Sequence, residues 1–128
     1  MNIKLICLAS VFAVALPAAA FADMAAEMTT AQTHAGLAGK AADIMGVHMH
    51  LHHALNCLVG PSGDGFDATN ANPCAKSGNG LIPDATDAAQ KTKLMAAVAK
   101  AKAGIAESDV DAAKKDAADT AAAIAGSM

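Results

Sequence analysis

The sequence predicts an all-α protein: a small, alanine-rich, up-and-down helical bundle of three or four helices with one disulfide-tied loop. Alanine-rich stretches without interior proline favour helix, and aliphatic residues recur in them at helical spacing. A segment rich in glycine, proline and asparagine separates two such stretches at residues 60–83. Helices of this kind bury their apolar faces by packing against one another around a single core.

Residues 1–22 have the pattern of a cleavable signal peptide. Lys4 precedes the apolar run "LICLASVFAVAL", and Ala20-Phe21-Ala22 forms a small-x-small cleavage site. The run is too short to cross a bilayer. We therefore expect a single domain over residues 23–128, located in a bacterial periplasm or secreted, with no membrane span after cleavage.

The first helical stretch is predicted over about residues 24–59 and ends firmly at Gly60-Pro61. Gly36 and Gly39 leave open whether it is one helix or two. Residues 60–83 are predicted to form an ordered loop.

Two further helices are predicted, over about residues 84–103 and 108–126. Asp84 and Ser108 stand where side-chain caps are favoured. Leu94 and Val98 lie at helical spacing along the apolar face of the first of these two helices.

Charge and aromatic content argue against a nucleic-acid partner. The chain carries nine basic residues, all lysine, against 12 acidic residues, for a net charge of −3. Phe66 is the single aromatic residue beyond the predicted signal peptide. Without a basic patch or stacking side chains, neither phosphates nor bases have a binding surface.

Cys57 and Cys74 are the two cysteines of the predicted mature chain. An oxidising compartment favours a disulfide between them. Closing a loop of about 17 residues contributes roughly 3 kcal/mol on the chain-entropy estimate. Because alanine fills most apolar positions and buries little area, a small domain of this composition needs such reinforcement from a disulfide, a metal or a partner chain.

The stretch "HMHLHHALNC" (48–57) concentrates four of the five histidines of the chain. His48 and His52 are one helical turn apart, the spacing at which two imidazoles can reach one metal ion, and we expect them to be the primary ligands. Neighbouring Met45 and Met49 would add thioether sulfurs that suit Cu(I).

The other histidines fall into two groups on the same helical wheel. His50 and His53 point to another side of the helix and are expected to form a second, more exposed site. His34 joins the face of His48 and His52 only if the helix is unbroken back to residue 34. Thioether sulfur suits Cu(I) and imidazole suits Cu(II), Ni(II) or Zn(II), so we expect a copper ion, with nickel or zinc as alternatives. The stretch 45–53 resembles small exported His- and Met-rich metal-binding proteins.

The sequence therefore favours an exported protein that sequesters, stores or delivers a metal ion, acting as a homo-oligomer or with a metal-delivery partner. Several alternatives stay open: hydrogen-bonded structural histidines, a pH-responsive interface, a metal-free interaction protein of the cell envelope, and a b-type haem binder. "GDGFDATNAN" (63–72) has oxygen ligands for calcium without the spacing of a calcium loop, and turn chemistry explains it. No catalytic motif is present, so we expect no enzymatic activity.

Overall fold

Alanine-rich segments form the long helices of the computed structural model, which describes residues 19–128, with side chains from Asp23 onward. The structure is all-helical over this range, and the predicted fold class is confirmed. The helices are α1 (Ala19–Lys40), α2 (Ile44–Val59), α3 (Leu81–Asp84), α4 (Ala88–Ala106) and α5 (Val110–Ala125). Most of the predicted signal peptide, residues 1–18, lies outside the described residues.

The first helical stretch is two helices rather than one. α1 continues through Gly36 and Gly39 and ends at Lys40, and α2 begins at Ile44. The Asp43 carboxylate accepts the Gly46 N–H and so caps α2. The condition under which His34 would share a face with His48 and His52 is therefore not met.

The later helices begin a few residues after the predicted positions. Asp87 caps α4 by accepting from the Gln90 N–H, and Asp109 caps α5 by accepting from the Ala112 N–H. The predicted cap Asp84 instead ends the short helix α3, where its carboxylate accepts the Asn79 N–H. An aspartate used in this way cannot also cap α4.

The four long helices form a ring in which each packs mainly against two neighbours. α1 packs on α2 and α5, and α4 packs on α2 and α5. Gln90 at the start of α4 donates to the Ser127 carbonyl just beyond α5, as antiparallel neighbours require. Within the described residues, no helix combines the length and the apolarity needed to cross a membrane.

Small residues let the helices approach closely. The fully buried large aliphatic side chains are Leu51, Leu58, Leu81, Leu94, Ile124 and Val47. Between them lie buried alanines from α1, α4 and α5. α4 turns Leu94, Ala97, Ala101 and Gly104 inward, whereas Val98 of the predicted stripe is only half-buried.

The loop after α2 is fixed to the bundle by a disulfide and by one buried amide. Cys57 and Cys74 are bonded, as predicted. Asn56 is fully buried; its side chain donates to carbonyls of the loop and accepts the Asp67 N–H at 2.9 Å. These contacts hold residues 67–74 over the end of α2.

Candidate metal centre

Three histidines meet in the groove between α1 and α2. His34 comes from α1, and His50 and His53 come from successive turns of α2. One ring nitrogen from each lies within 4.8 Å of the other two, and all three side chains are half-buried. The group forms because the break at residues 41–43 folds α1 back along α2.

The three rings are arranged around a common point rather than stacked. Nδ1 of His34 and Nδ1 of His50 are 3.2 Å apart. The ring of His53 stands nearly perpendicular to both, with interplanar angles of 89° to His34 and 82° to His50. Nδ1 of His53 is buried and has no hydrogen-bond partner among the described residues.

The 3.2 Å separation suits two kinds of contact. It matches an N–H···N hydrogen bond between one donor ring and one acceptor ring, whose usual length is about 3 Å. It also matches two ligands of one tetrahedral ion, because metal–nitrogen bonds of about 2.0–2.1 Å place such ligands about 3.3 Å apart. A hydrogen bond joins two of the rings, whereas an ion can take one nitrogen from each of the three.

The surroundings favour the neutral, metal-binding form of two of these rings. Burial lowers the pKa of His34, and His53 and His50 beside it lower it further. Burial also lowers the pKa of His53, with smaller contributions from His50 and His52. A neutral imidazole offers the lone pair that a metal ion needs.

His48 and His52, the pair predicted to be the primary ligands, have separate partners. Nε2 of His48 lies 2.9 Å from the Glu107 carbonyl, where it can only donate. Nδ1 of His52 lies 3.4 Å from an Asp67 carboxylate oxygen, an electrostatic contact without hydrogen-bond alignment. Neither belongs to the three-histidine group, and a shared ion between them stays an untested prediction.

The two methionines lie on the outer side of α2. Met45 is 78% exposed and Met49 is 44% exposed, so neither belongs to the buried face of the helix. The core-facing side of α2 is formed by Val47, Leu51 and Leu55 instead.

The structure adds a third histidine, His34, to the predicted second site of His50 and His53. The two residues are half-buried, not fully solvent-facing, because α1 covers them with His34. The spacing of His50 and His53, one turn apart, was visible in the sequence. The contribution of His34 required knowing where the first helix ends.

The loop acids are used in turns and ion pairs. The Asp67 carboxylate accepts from Thr69 and Asn70, and these hydrogen bonds lower its pKa to about 2. Asp64 pairs with Lys102 at 2.6 Å. Turn chemistry therefore accounts for these side chains without a calcium ion.

A surface pocket of about 420 Å³ lies away from the histidines, beside Val59, Ile82, Met95 and Val98. No histidine lines it. Its walls therefore offer no axial imidazole for a haem.

Comparisons with protein families, with curated proteins and with solved structures found no match for this chain. The fold and the site together define a class: a small disulfide-tied helical bundle with a group of three histidines able to hold a metal ion.

Proposed function

We propose that this protein is an exported metal-binding protein whose ion is held by His34, His50 and His53. The observation that carries the proposal is the convergence of three imidazole nitrogens within 4.8 Å of one another, in a protein whose remaining surface offers no comparable group among the described residues. The unpartnered nitrogen of His53 supports it, because a buried polar atom without a partner costs free energy unless a ligand satisfies it.

A late transition metal fits the ligand set. Imidazole binds Cu, Zn and Ni, and a site of three nitrogens without carboxylate does not suit Ca²⁺ or Mg²⁺. The 3.2 Å separation of the His34 and His50 nitrogens is compatible with two ligands of a tetrahedral ion such as Cu(I) or Zn(II). Copper is our first candidate.

The proposed role is sequestration, storage or delivery rather than catalysis. The site is half-buried, so an ion can enter and leave without unfolding of the bundle. Export is supported by the signal-peptide pattern of residues 1–22 and by the disulfide, which persists in oxidising compartments. A metal-delivery partner or a second copy of the chain would meet the protein at this half-buried groove.

The test is metal binding by single histidine variants. His50→Ala and His53→Ala should each reduce the bound copper or zinc, measured by elemental analysis after desalting, to less than about a tenth of the wild-type amount. His52→Ala is the matched control, because it removes an imidazole from the same helix but not from the group, and it should retain the wild-type stoichiometry.

Thermal unfolding gives a second measure of the same site. Free metal at 100 times the Kd should stabilise the wild-type protein by about 2.7 kcal/mol and leave His50→Ala unshifted. Equal binding by wild type and by both group variants would exclude the three-histidine site. Loss of binding in His52→Ala alone would instead indicate a site formed by His48 and His52. A haem absorption spectrum in protein purified from the native host would show that the cofactor is haem rather than a bare metal ion.

A further inference from the structure

The three-histidine group leaves the solvent side of a bound ion without a protein ligand. All three rings come from the groove between α1 and α2, and each is half-buried. A tetrahedral ion takes four ligands. Because the three rings are only half-buried, a fourth position remains for a ligand from outside the group.

Met49 is a sulfur-bearing side chain at helical spacing from one of the three histidines. It precedes His53 by one helical turn, and side chains at this spacing are neighbours with Cβ atoms about 5–6 Å apart. Helical side chains also lean toward the N-terminus of their helix, so the His53 ring extends over the turn that carries Met49. Met49 is 44% exposed, so its side chain is not part of the buried core.

We propose that Met49 supplies the fourth ligand when the ion is Cu(I), and that its thioether makes the site bind Cu(I) in preference to Zn(II). This inference rests on the proposed function. A soft thioether binds Cu(I) strongly and Zn(II) weakly. With Zn(II), a water molecule takes the fourth position.

The unbranched methionine side chain suits this role. Its three rotatable bonds let the sulfur move between solvent and the ion without a change in the backbone. Met45, 78% exposed on the same helix, lies two turns before His53, a rise of about 12 Å. Because it lies neither three nor four residues before His50 or His53, it is not a neighbour of either ring on the helix surface and provides a matched control.

The experiment compares Met49→Leu with Met45→Leu in the intact protein, purified from the cells that express it. Cu(I) affinity is measured anaerobically against a chromophoric Cu(I) chelator, and Zn(II) affinity against a zinc indicator. Met49→Leu should weaken Cu(I) binding by about tenfold or more and change Zn(II) binding less than about twofold. Met45→Leu should leave both affinities at their wild-type values.

X-ray absorption of the Cu(I) protein provides a structural readout. The wild-type spectrum should show sulfur scattering in addition to nitrogen, and the sulfur contribution should vanish in Met49→Leu alone. Unchanged Cu(I) affinity in Met49→Leu, or a spectrum with nitrogen and oxygen only, overturns the role of Met49. If His50→Ala abolishes metal binding in that outcome, the three-histidine site is still supported. If His50→Ala also binds the metal normally, the proposed function fails as well.

Discussion

Glu27 is a buried carboxyl that joins α1 to the loop before α3. It is fully buried, and its Oε1 accepts the Gly80 N–H at 2.8 Å. Oε2 has no hydrogen-bond partner among the described residues, and the Asp84 carboxyl group lies near the Glu27 side chain. Burial raises the pKa of Glu27 to about 7, opposed by the Gly80 hydrogen bond, while Asp84 and Asp23 add like charge.

This raised pKa makes the stability of the fold depend on pH. The ordinary pKa of 4.5 applies to the unfolded chain, so folding favours the protonated form of Glu27. The stabilising contribution is complete below pH 4.5 and is lost as the pH rises through 7. A difference of this size corresponds to roughly 3 kcal/mol between the two limits.

Glu27→Gln should remove this dependence. The amide keeps an acceptor for the Gly80 N–H and places a permanent donor toward Asp84. We expect the variant to match wild type near pH 5 and to exceed it by roughly 2–3 kcal/mol at pH 8 in urea unfolding.

The difference between the two proteins is the readout, because the histidines titrate in both. The pKa values of His34 and His53 are lowered, so their contribution is lost as the pH falls below about 6.5, in the opposite sense. Parallel pH profiles for wild type and Glu27→Gln would show that Glu27 is ionised in the folded protein.

At the scale of the elements, the glycines of the helices have different functions. Gly104, in α4, lies where three elements meet: a Cβ there would be 2.6 Å from Leu51 Cδ1 and 3.0 Å from Asp116 Cβ. Gly36, in α1, has no atom within 4 Å of the same position. Both are in helix interiors, where alanine is favoured over glycine by about 1 kcal/mol when space allows.

Gly104→Ala should therefore destabilise the protein despite the better helix former. Leu51 is fully buried and cannot move aside freely, and overpacking of this kind costs about 1–3 kcal/mol. Gly36→Ala, the matched control, should stabilise the protein by about 0.5–1 kcal/mol. Chemical denaturation measures both, and stabilisation by Gly104→Ala would show that α4 is not in close contact with α2 and α5.

At the scale of the whole molecule, the disulfide supports a core that is built mainly from alanine. Cys57 and Cys74 are both buried, and their bond closes a separation of 17 residues. The double variant Cys57→Ala with Cys74→Ala should lose about 2–4 kcal/mol in the free energy of unfolding. Mass spectrometry with and without reductant checks the bond itself; two free thiols in the wild-type protein would contradict the structure.

The metal site depends on the same architecture, because its ligands come from two helices. His34 lies eight residues before Ala42 and His50 lies eight residues after it. In an antiparallel helical pair, residues equidistant from the connection lie at the same level. This equal spacing is visible in the sequence, but it predicts a contact between His34 and His50 only once the connection between the helices is known to lie at residues 41–43.

The sequence by itself determined the helical class, the end of the first helical region at Gly60-Pro61, and the pairing of Cys57 with Cys74. These depend on local propensity, on turn chemistry and on there being a single partner cysteine in the predicted mature chain. Only the tertiary structure decided which histidines meet. Local periodicity grouped His48 with His52, but packing gave those rings separate partners and brought His34 to His50 and His53. A binding site built across a helical hairpin depends on the position and direction of its connection, which residue spacing within one helix does not contain.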